Sequence, residues 1–234
     1  MRPAVIIPVY NHGRQVDEVV RKSLLLCLPV FVVDDGSTDG TSAILEAIDG
    51  ITVLSHPTNQ GKGAAILTGC SAALEKGCDF VLTIDGDGQH NPEEAGTLLA
   101  AAVDGQRCLV IGKRRGMAGA ENVPWTSTFG RGFSNFWVWA AGGPLVDDSQ
   151  SGFRLYPIPE LLQIGVQARR YQFEVEVLVK ARQHGIRIRE VAISVVYQAK
   201  GLRVSHFQPW RDFLRNSTTF SRLIIARIFG VFRP

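Results

Sequence analysis

Short, continuous apolar runs alternate with amphipathic helical stretches through the first half of the chain. This alternation constrains the fold more than any other feature. The runs "AVIIPV" (4–9), "VFVVD" (30–34), "ITVL" (51–54), "FVLTI" (80–84) and "CLVIG" (108–112) read as strands buried on both faces of a sheet. Between them, Val16, Val19, Val20 and Leu24 form one helical stripe, Ile44, Leu45 and Ile48 a second, and Ile66, Leu67, Cys70 and Leu74 a third. Strands and helices spaced this way predict an α/β domain around a mainly parallel sheet with right-handed crossovers. Ligands of such sheets gather at the carboxyl ends of the strands. "PVYN" (8–11), "DDGSTDG" (34–40) and "DGDGQ" (85–89) each follow a strand, so all three should converge on one edge and form a site.

The second half is less regular. "SNFWVWAAGG" (134–143) reads as a helix ended by its glycines, and "FEVEVLVKARQHG" (173–185) as a helix with late basic residues and Gly185 as its cap. "IRIREVAISVVY" (186–197) reads as a strand whose alternation slips near Arg189, as at a bulge. "GMAGAENVPW" (116–125) is a loop rich in glycine and alanine. With no repeat or linker, the expected division is a catalytic-sized domain over 1–204 and a tail over 205–234.

Charge separates these two parts. The 234 residues carry a formal charge of +3, yet the tail alone holds five arginines against one aspartate. On a helix, Arg211, Arg215, Arg222 and Arg233 fall within about 40° of one another, with Phe213, Phe220, Leu223, Ile224, Ile228 and Val231 broadly opposite. Such a basic amphipathic helix suits an anionic membrane surface; docking onto the protein's own core or a partner subunit is the alternative. No apolar run approaches the ~18 residues of a membrane span, and no secretion leader opens the sequence. Cys27, Cys70, Cys78 and Cys108 form no CxxC pair and read as buried free thiols of a reducing compartment. The expectation is a cytoplasmic protein attached peripherally to the inner membrane face, with no nucleic-acid partner.

Asp85 and Asp87 stand one residue apart at a strand end, with Gln89 two further on. Carboxylates that close repel unless a cation lies between them, and an all-oxygen set of this kind suits Mg²⁺ or Mn²⁺ shared with substrate phosphates. A calcium loop fails at its sixth and twelfth positions, where His90 and Gly96 replace the required Gly and Glu. A plain capping turn stays open, since Asn91 and Pro92 look like a helix start. In the second motif, Gly36 permits a tight turn and Ser37 or Asp39 can cap the next helix, but adjacent acids at Asp34 and Asp35 exceed what a turn needs. "NQGKGAA" (59–65) is not a Walker loop, although Lys62 stands at a helix start from which it can reach a nucleotide.

Taken in order, "PVYN", "VVDDGSTDGT", Asn-x-Gly-Lys-Gly-x-Ala, "LTIDGDGQH" and "DSQSGFRLY" resemble the family-2 glycosyltransferases over about residues 3–200. The likeness is to the branch typified by dolichyl-phosphate mannose synthase and polyprenyl-phosphate glucosyltransferases. The resemblance implies a single nucleotide-diphospho-sugar-binding domain, Rossmann-like and of GT-A type, with a mainly parallel mixed sheet. It places Pro8, Tyr10 and Asn11 at the base pocket, Asp34 or Asp35 on base or ribose with Gly36 beside them, and Asp85, Gly86 and Lys62 at the donor. Asp87 lies on the metal with Asp85 and Gln89. Asp148 becomes the acid near the acceptor, followed by Arg154, while Glu174 and Glu176 lie in a helix flanking the donor sugar; a solvated face is an equal reading for Glu176. Arg131 and Ser134 match the acceptor-phosphate position, and Lys113, Arg114, Arg154 and Arg203 join them as candidates to hold that phosphate. The branch's Gly-x-Ser-Lys element is missing; in "AKGLRVSHF" Arg203 stands in for its lysine at the pyrophosphate, and His206 is a candidate further metal ligand.

The implied reaction is a metal-dependent, inverting transfer of a sugar from a UDP- or GDP-linked donor to a polyprenyl phosphate or other lipid. A lipid phosphate is already a nucleophile, whereas a neutral hydroxyl would require Asp148 as base. The rivals are a sugar nucleotidyltransferase, whose glycine-rich loop "PVYNHGRQ" lacks, and a nucleotide-sugar-binding regulator without turnover.

Overall fold

The computed structural model describes residues 1–102, 107–115, 125–194 and 209–229, with 125–130 and 209–216 described by their backbone alone. The chain runs β1 (Pro3–Val9), α1 (Val16–Leu24), β2 (Val30–Asp34), α2 (Thr41–Glu46), β3 (Ile51–Ser55), α3 (Lys62–Glu75) and β4 (Phe80–Thr83). It continues through α4 (Ala95–Ala101), β5 (Cys108–Arg114), α5 (Trp125–Ala140), β6 (Arg154–Pro157), α6 (Glu160–Gln163), α7 (Phe173–Gln183), β7 (Arg187–Ile193) and α8 (Pro209–Ile228). All five apolar runs are strands, and the seven strands form one sheet in the order β3-β2-β1-β4-β6-β5-β7.

The α/β expectation holds, with one strand added. β6, inside "SGFRLY", inserts between β4 and β5 and is antiparallel to both, while the remaining pairs are parallel. The expected bulge is absent: β7 pairs with β5 in unbroken register from Cys108↔Arg187 to Arg114↔Ile193. The broken alternation there reflects two working side chains. Arg189 Nη1 donates to Ala101 O at 2.6 Å, and Glu190 takes up the backbone described below.

Alternation along the strands builds two cores. Ala4, Ile6, Phe31, Val33 and Val81 face one side, with α3, α7 and α8, whereas Val5, Ile7, Val30, Val32 and Leu82 face α1 and α4 on the other. Cys70, Cys78 and Cys108 are buried free thiols as expected; Cys27 is exposed. β1 has β2 on one flank and β4 on the other, so the chain reverses its direction of travel at β1. Crevices open at such a reversal, at the carboxyl ends of the strands.

The tail docks. Over its described side chains, α8 buries Phe220 and Leu223 in the first core, with the Phe220 ring 6.2 Å from that of Trp137. Arg222, expected to lie opposite the apolar face, stays exposed but reaches the core: its Nη2 is 2.8 Å from Glu176 Oε2. Arg227 Nη1 donates to Ala140 O at 2.8 Å. The solvated reading of Glu176 is corrected by the same contact, for that carboxylate has no exposure. Ile225, Ile228 and Phe229 stay exposed, as do Phe136 and Trp139 of α5. Among the described residues no helix is long and apolar enough to cross a membrane.

Candidate active site

Three strand-end loops do converge. Asn11, with φ of 53°, turns the chain after β1; its N–H donates to Ser37 Oγ at 2.9 Å, and Thr38 N donates back to Asn11 Oδ1 at 2.7 Å. Pro8 is buried within β1, leaving Tyr10 and Asn11 half-buried at its end. Gly36 is required where it stands. Its φ is +76°, and a Cβ there would lie 2.7 Å from the carbonyl carbon of Thr58.

Asp34 and Asp35 spend their oxygens inside the protein. Asp34 accepts from Ser37 N at 2.9 Å and from Ser42 Oγ, fixing the start of α2. Asp35 accepts from Gln60 N at 2.9 Å, Gly61 N at 2.7 Å and His56 Nδ1 at 2.6 Å. A carboxylate satisfied by two backbone N–H groups and a ring nitrogen anchors the 56–61 loop, so direct contact of Asp34 or Asp35 with base or ribose does not fit this geometry. His56 carried no sequence signal of this part.

That anchored loop delivers Lys62 to the tip of β4. Its ammonium lies 2.7 Å from Asp85 Oδ1 and also pairs with Glu174 of α7. Burial opposes the charge on Lys62, but the two carboxylates overcome it and hold its pKa well above the usual lysine value. Burial likewise raises the Asp85 carboxyl while Lys62 pulls it further down, so Asp85 is ionised. The contact lacks hydrogen-bond alignment, and Asp85 Oδ1 is buried with no aligned donor. Gly152 roofs the pair: a Cβ there would fall 2.3 Å from Asp85 Oδ2 and 2.5 Å from Lys62 Nζ. Any side chain at 152 would expel one of them. The glycine of "DSQSGFR" was the available signal for this, though only the packing reveals its use.

Beyond Asp85, Gly86 lies over the end of β1, and Asp87 Oδ1 accepts from Gln89 N at 3.0 Å. Asn91 Oδ1 accepts from Glu93 N at 3.2 Å to open the short turn Pro92–Glu94 ahead of α4, as its sequence implied. His90 is buried and stacks on Phe153 with ring centroids 5.4 Å apart. Burial above all, with Arg114 and Lys62 nearby and Asp85 opposing them, pushes its pKa down to about 4, so the ring is neutral at neutral pH.

The other wall is the 147–152 loop, clamped from four sides. Glu190 of β7 accepts from Asp147 N and Asp148 N, each at 3.0 Å. Asn135 of α5 donates to Asp147 O at 2.9 Å and accepts from Ser149 N at 3.0 Å. Thr83 Oγ1 donates to Gly152 O at 2.7 Å. Arg154, fully buried, donates at 2.7 Å to each of the carbonyls of Ser151, Ser149 and Glu174. Three of its five N–H groups hold backbone carbonyls and the side chain has no exposure, so Arg154 positions the loop, a geometry that does not fit the expected contact with acceptor phosphate. Ser134 is also turned into the protein: it is buried and its hydroxyl accepts from Ser149 Oγ at 3.0 Å, which does not fit the expected contact with acceptor phosphate.

Asp148 is gripped by Arg114, with Nε to Oδ2 at 2.7 Å and Nη2 to Oδ1 at 2.8 Å. Burial would raise its carboxyl, but the Arg114 hydrogen bonds and charge bring it below the ordinary aspartate value. A carboxylate so stabilised is a weaker proton acceptor, and the pairing occupies much of Arg114. Lys113, paired with Asp147 at 2.5 Å, and half-buried Arg131 stand beside it as further cations. Arg203 and His206 lie outside the described residues.

Residues 4–157 match the family described as "Glycosyl transferase family 2". The chain belongs to that family and is a glycosyltransferase. A UDP-N-acetylglucosamine–dolichyl-phosphate N-acetylglucosaminyltransferase of Methanococcus voltae is 30% identical over 82% of this chain and 85% of its own length. A polyprenol monophosphomannose synthase of Mycolicibacterium smegmatis is 31% identical over 86% of this chain and 80% of its own. Among solved structures, mannosyl-3-phosphoglycerate synthase of Rubrobacter xylanophilus matches with a TM-score of 0.66 at 19% identity, covering 100% of this chain and 76% of that one. That likeness establishes the GT-A fold. The family match also sets aside the nucleotidyltransferase and regulator readings.

Proposed function

We propose that this glycosyltransferase moves a sugar from a UDP- or GDP-linked donor onto a polyprenyl phosphate or similar lipid phosphate, with inversion at the anomeric carbon. The observation that carries the acceptor class is the Arg114–Asp148 pair. A neutral hydroxyl must lose a proton as it attacks, and the carboxylate expected to take that proton is sealed by a guanidinium. A phosphate monoester, with a second pKa near ~6, arrives already anionic and needs no base. Lys113 and Arg131 are the cations in place to receive it. Two relatives named for dolichyl-phosphate and polyprenol monophosphate chemistry support the same class.

The donor would lie across the ends of β1, β2 and β4. A divalent cation fits the loop after β4. Asp85 offers a buried, ionised oxygen with no aligned donor, while Asp87 and Gln89 add hard oxygens. Magnesium or manganese held by so few protein oxygens would share its shell with the donor diphosphate. Bound there, it supplies positive charge against the negative charge that develops on the departing nucleoside diphosphate. The protein's own part is positional. Asp35 fixes the loop that carries Lys62, and Glu190, Asn135, Thr83 and Arg154 fix the wall opposite. A single displacement between these walls inverts the anomeric centre.

We place the enzyme at the cytoplasmic membrane face, held peripherally through Ile225, Ile228 and Phe229 of the tail with Phe136 and Trp139 of α5. A panel of UDP- and GDP-sugars offered with polyprenyl phosphate, read by product mass, tests the reaction. A glycosylated lipid phosphate is expected; donor hydrolysis without transfer would contradict it.

A further inference from the structure

Lys62 sits where a metal ion is needed. Its ammonium is 2.7 Å from Asp85 Oδ1, and its side chain is only 16% exposed beneath Gly152. The base of the side chain cannot retreat, because Gln60 N and Gly61 N are bound to Asp35. A dication on Asp85 cannot coexist with an ammonium in hydrogen-bonding range of the same oxygen. Glu174 offers the way out: it already pairs with Lys62, and its own side chain is 8% exposed.

We propose that Lys62 is a built-in counter-ion that occupies the cation position at Asp85 until metal and donor arrive together, with Glu174 as the partner that keeps the ammonium when it leaves Asp85. The inference rests on Asp85 as a metal-holding residue. In the ligand-free protein Lys62 offsets one of the two negative charges of Asp85 and Glu174, and bridges carboxylates that otherwise face each other within a largely buried cluster. A free divalent ion must displace it and therefore binds weakly. A nucleoside diphosphate gives the displaced ammonium a new anionic partner, so the two ligands bind cooperatively. Metal loading is thereby tied to the presence of donor.

The test is Mn²⁺ binding to the full chain, read by the paramagnetic resonance of free Mn²⁺, with and without UDP or GDP. Without nucleotide, Lys62→Met should bind Mn²⁺ about tenfold more tightly than the wild type, which is ~1.4 kcal/mol. It should also lose most of the tightening that nucleotide gives the wild type. Lys22→Met, which removes an exposed charge beside Gly88 and His90 of the same loop, should change Mn²⁺ affinity less than about twofold. Circular dichroism checks the fold of each variant. Should Lys62→Met fail to fold, Glu174→Gln decides: leaving the ammonium only Asp85, it should weaken nucleotide-free Mn²⁺ binding severalfold. If the wild type binds Mn²⁺ and Lys62→Met binds it no more tightly, the counter-ion role is wrong while the metal site stands. If neither binds Mn²⁺ even with UDP or GDP, the metal site falls and this role with it.

Discussion

Arg114 meets Asp148 edge to edge, its Nε and Nη2 at 2.7 and 2.8 Å from the two carboxylate oxygens, and Asp148 has no solvent exposure. Breaking a buried pair by removing one charge strands the other. Asp148→Asn should therefore cost about 3 kcal/mol and lower Tm by roughly 6–12 °C. Turnover falls because the loop shifts, but the pH at which kcat declines on the acid side should not move. A shift in that limb would return Asp148 to the role of base.

The same pair sets an acid dependence. The folded Asp148 carboxyl lies below its ordinary value, despite burial, because of Arg114. A depressed carboxyl stabilises the fold above the unfolded value of about 3.9, and that contribution is lost as pH falls through the folded value. Between about pH 5 and pH 2 the wild type should lose more stability than Asp148→Asn. Denaturant midpoints across that range check it; parallel losses would contradict it.

Asp87→Ala removes a proposed metal oxygen from a half-exposed loop and little packing. Activity should drop at least ~100-fold with Tm nearly unchanged. Retained turnover would remove the metal from Asp87.

Arg154→Leu takes the guanidinium donors from two carbonyls of a buried loop, Ser149 and Ser151, and from that of Glu174 in α7, each lost bond costing about 1–3 kcal/mol. A loss of at least ~3 kcal/mol is expected, and Arg154→Lys should not rescue it, since one ammonium cannot reproduce the planar fork. If Arg154→Leu keeps wild-type stability but loses only acceptor affinity, Arg154 binds phosphate after all.

The tail separates into two faces. Phe220→Ala, in the core, should cost about 3 kcal/mol. Ile228→Glu combined with Phe229→Glu, at 71% and 76% exposure, should leave Tm unchanged. The double variant should weaken partitioning to anionic vesicles at least tenfold, roughly the loss of one buried side chain. Unchanged partitioning would place the membrane contact elsewhere.

The parallel half of the sheet was legible because strands buried on both faces leave uninterrupted apolar runs; β3, expected to be such a strand, is instead the sheet's edge, with Thr52 and Ser55 exposed. β6 was not, since four residues inside a polar motif carry no period, and only pairing with β4 and β5 makes them a strand. The motif loops were legible as a site, yet charge alone did not say which groups face a ligand. Arg154, Asp34 and Asp35 turn inward to hold backbone, a use that depends on contacts distant in sequence. Glu176 had a readable signal: Val175, Val177, Leu178 and Val179 surround it on α7, so that part of the helix has no polar face. Its partner Arg222, 46 positions away, was visible only once α8 docked.

The account turns on an acceptor that needs no base. The most direct measurement compares transfer rates to a polyprenyl phosphate and to the corresponding polyprenol, with the same nucleotide sugar and Mn²⁺. Glycosylation of the phosphate, with none of the alcohol above background, is the predicted result. Transfer to the alcohol at an equal or greater rate would contradict it.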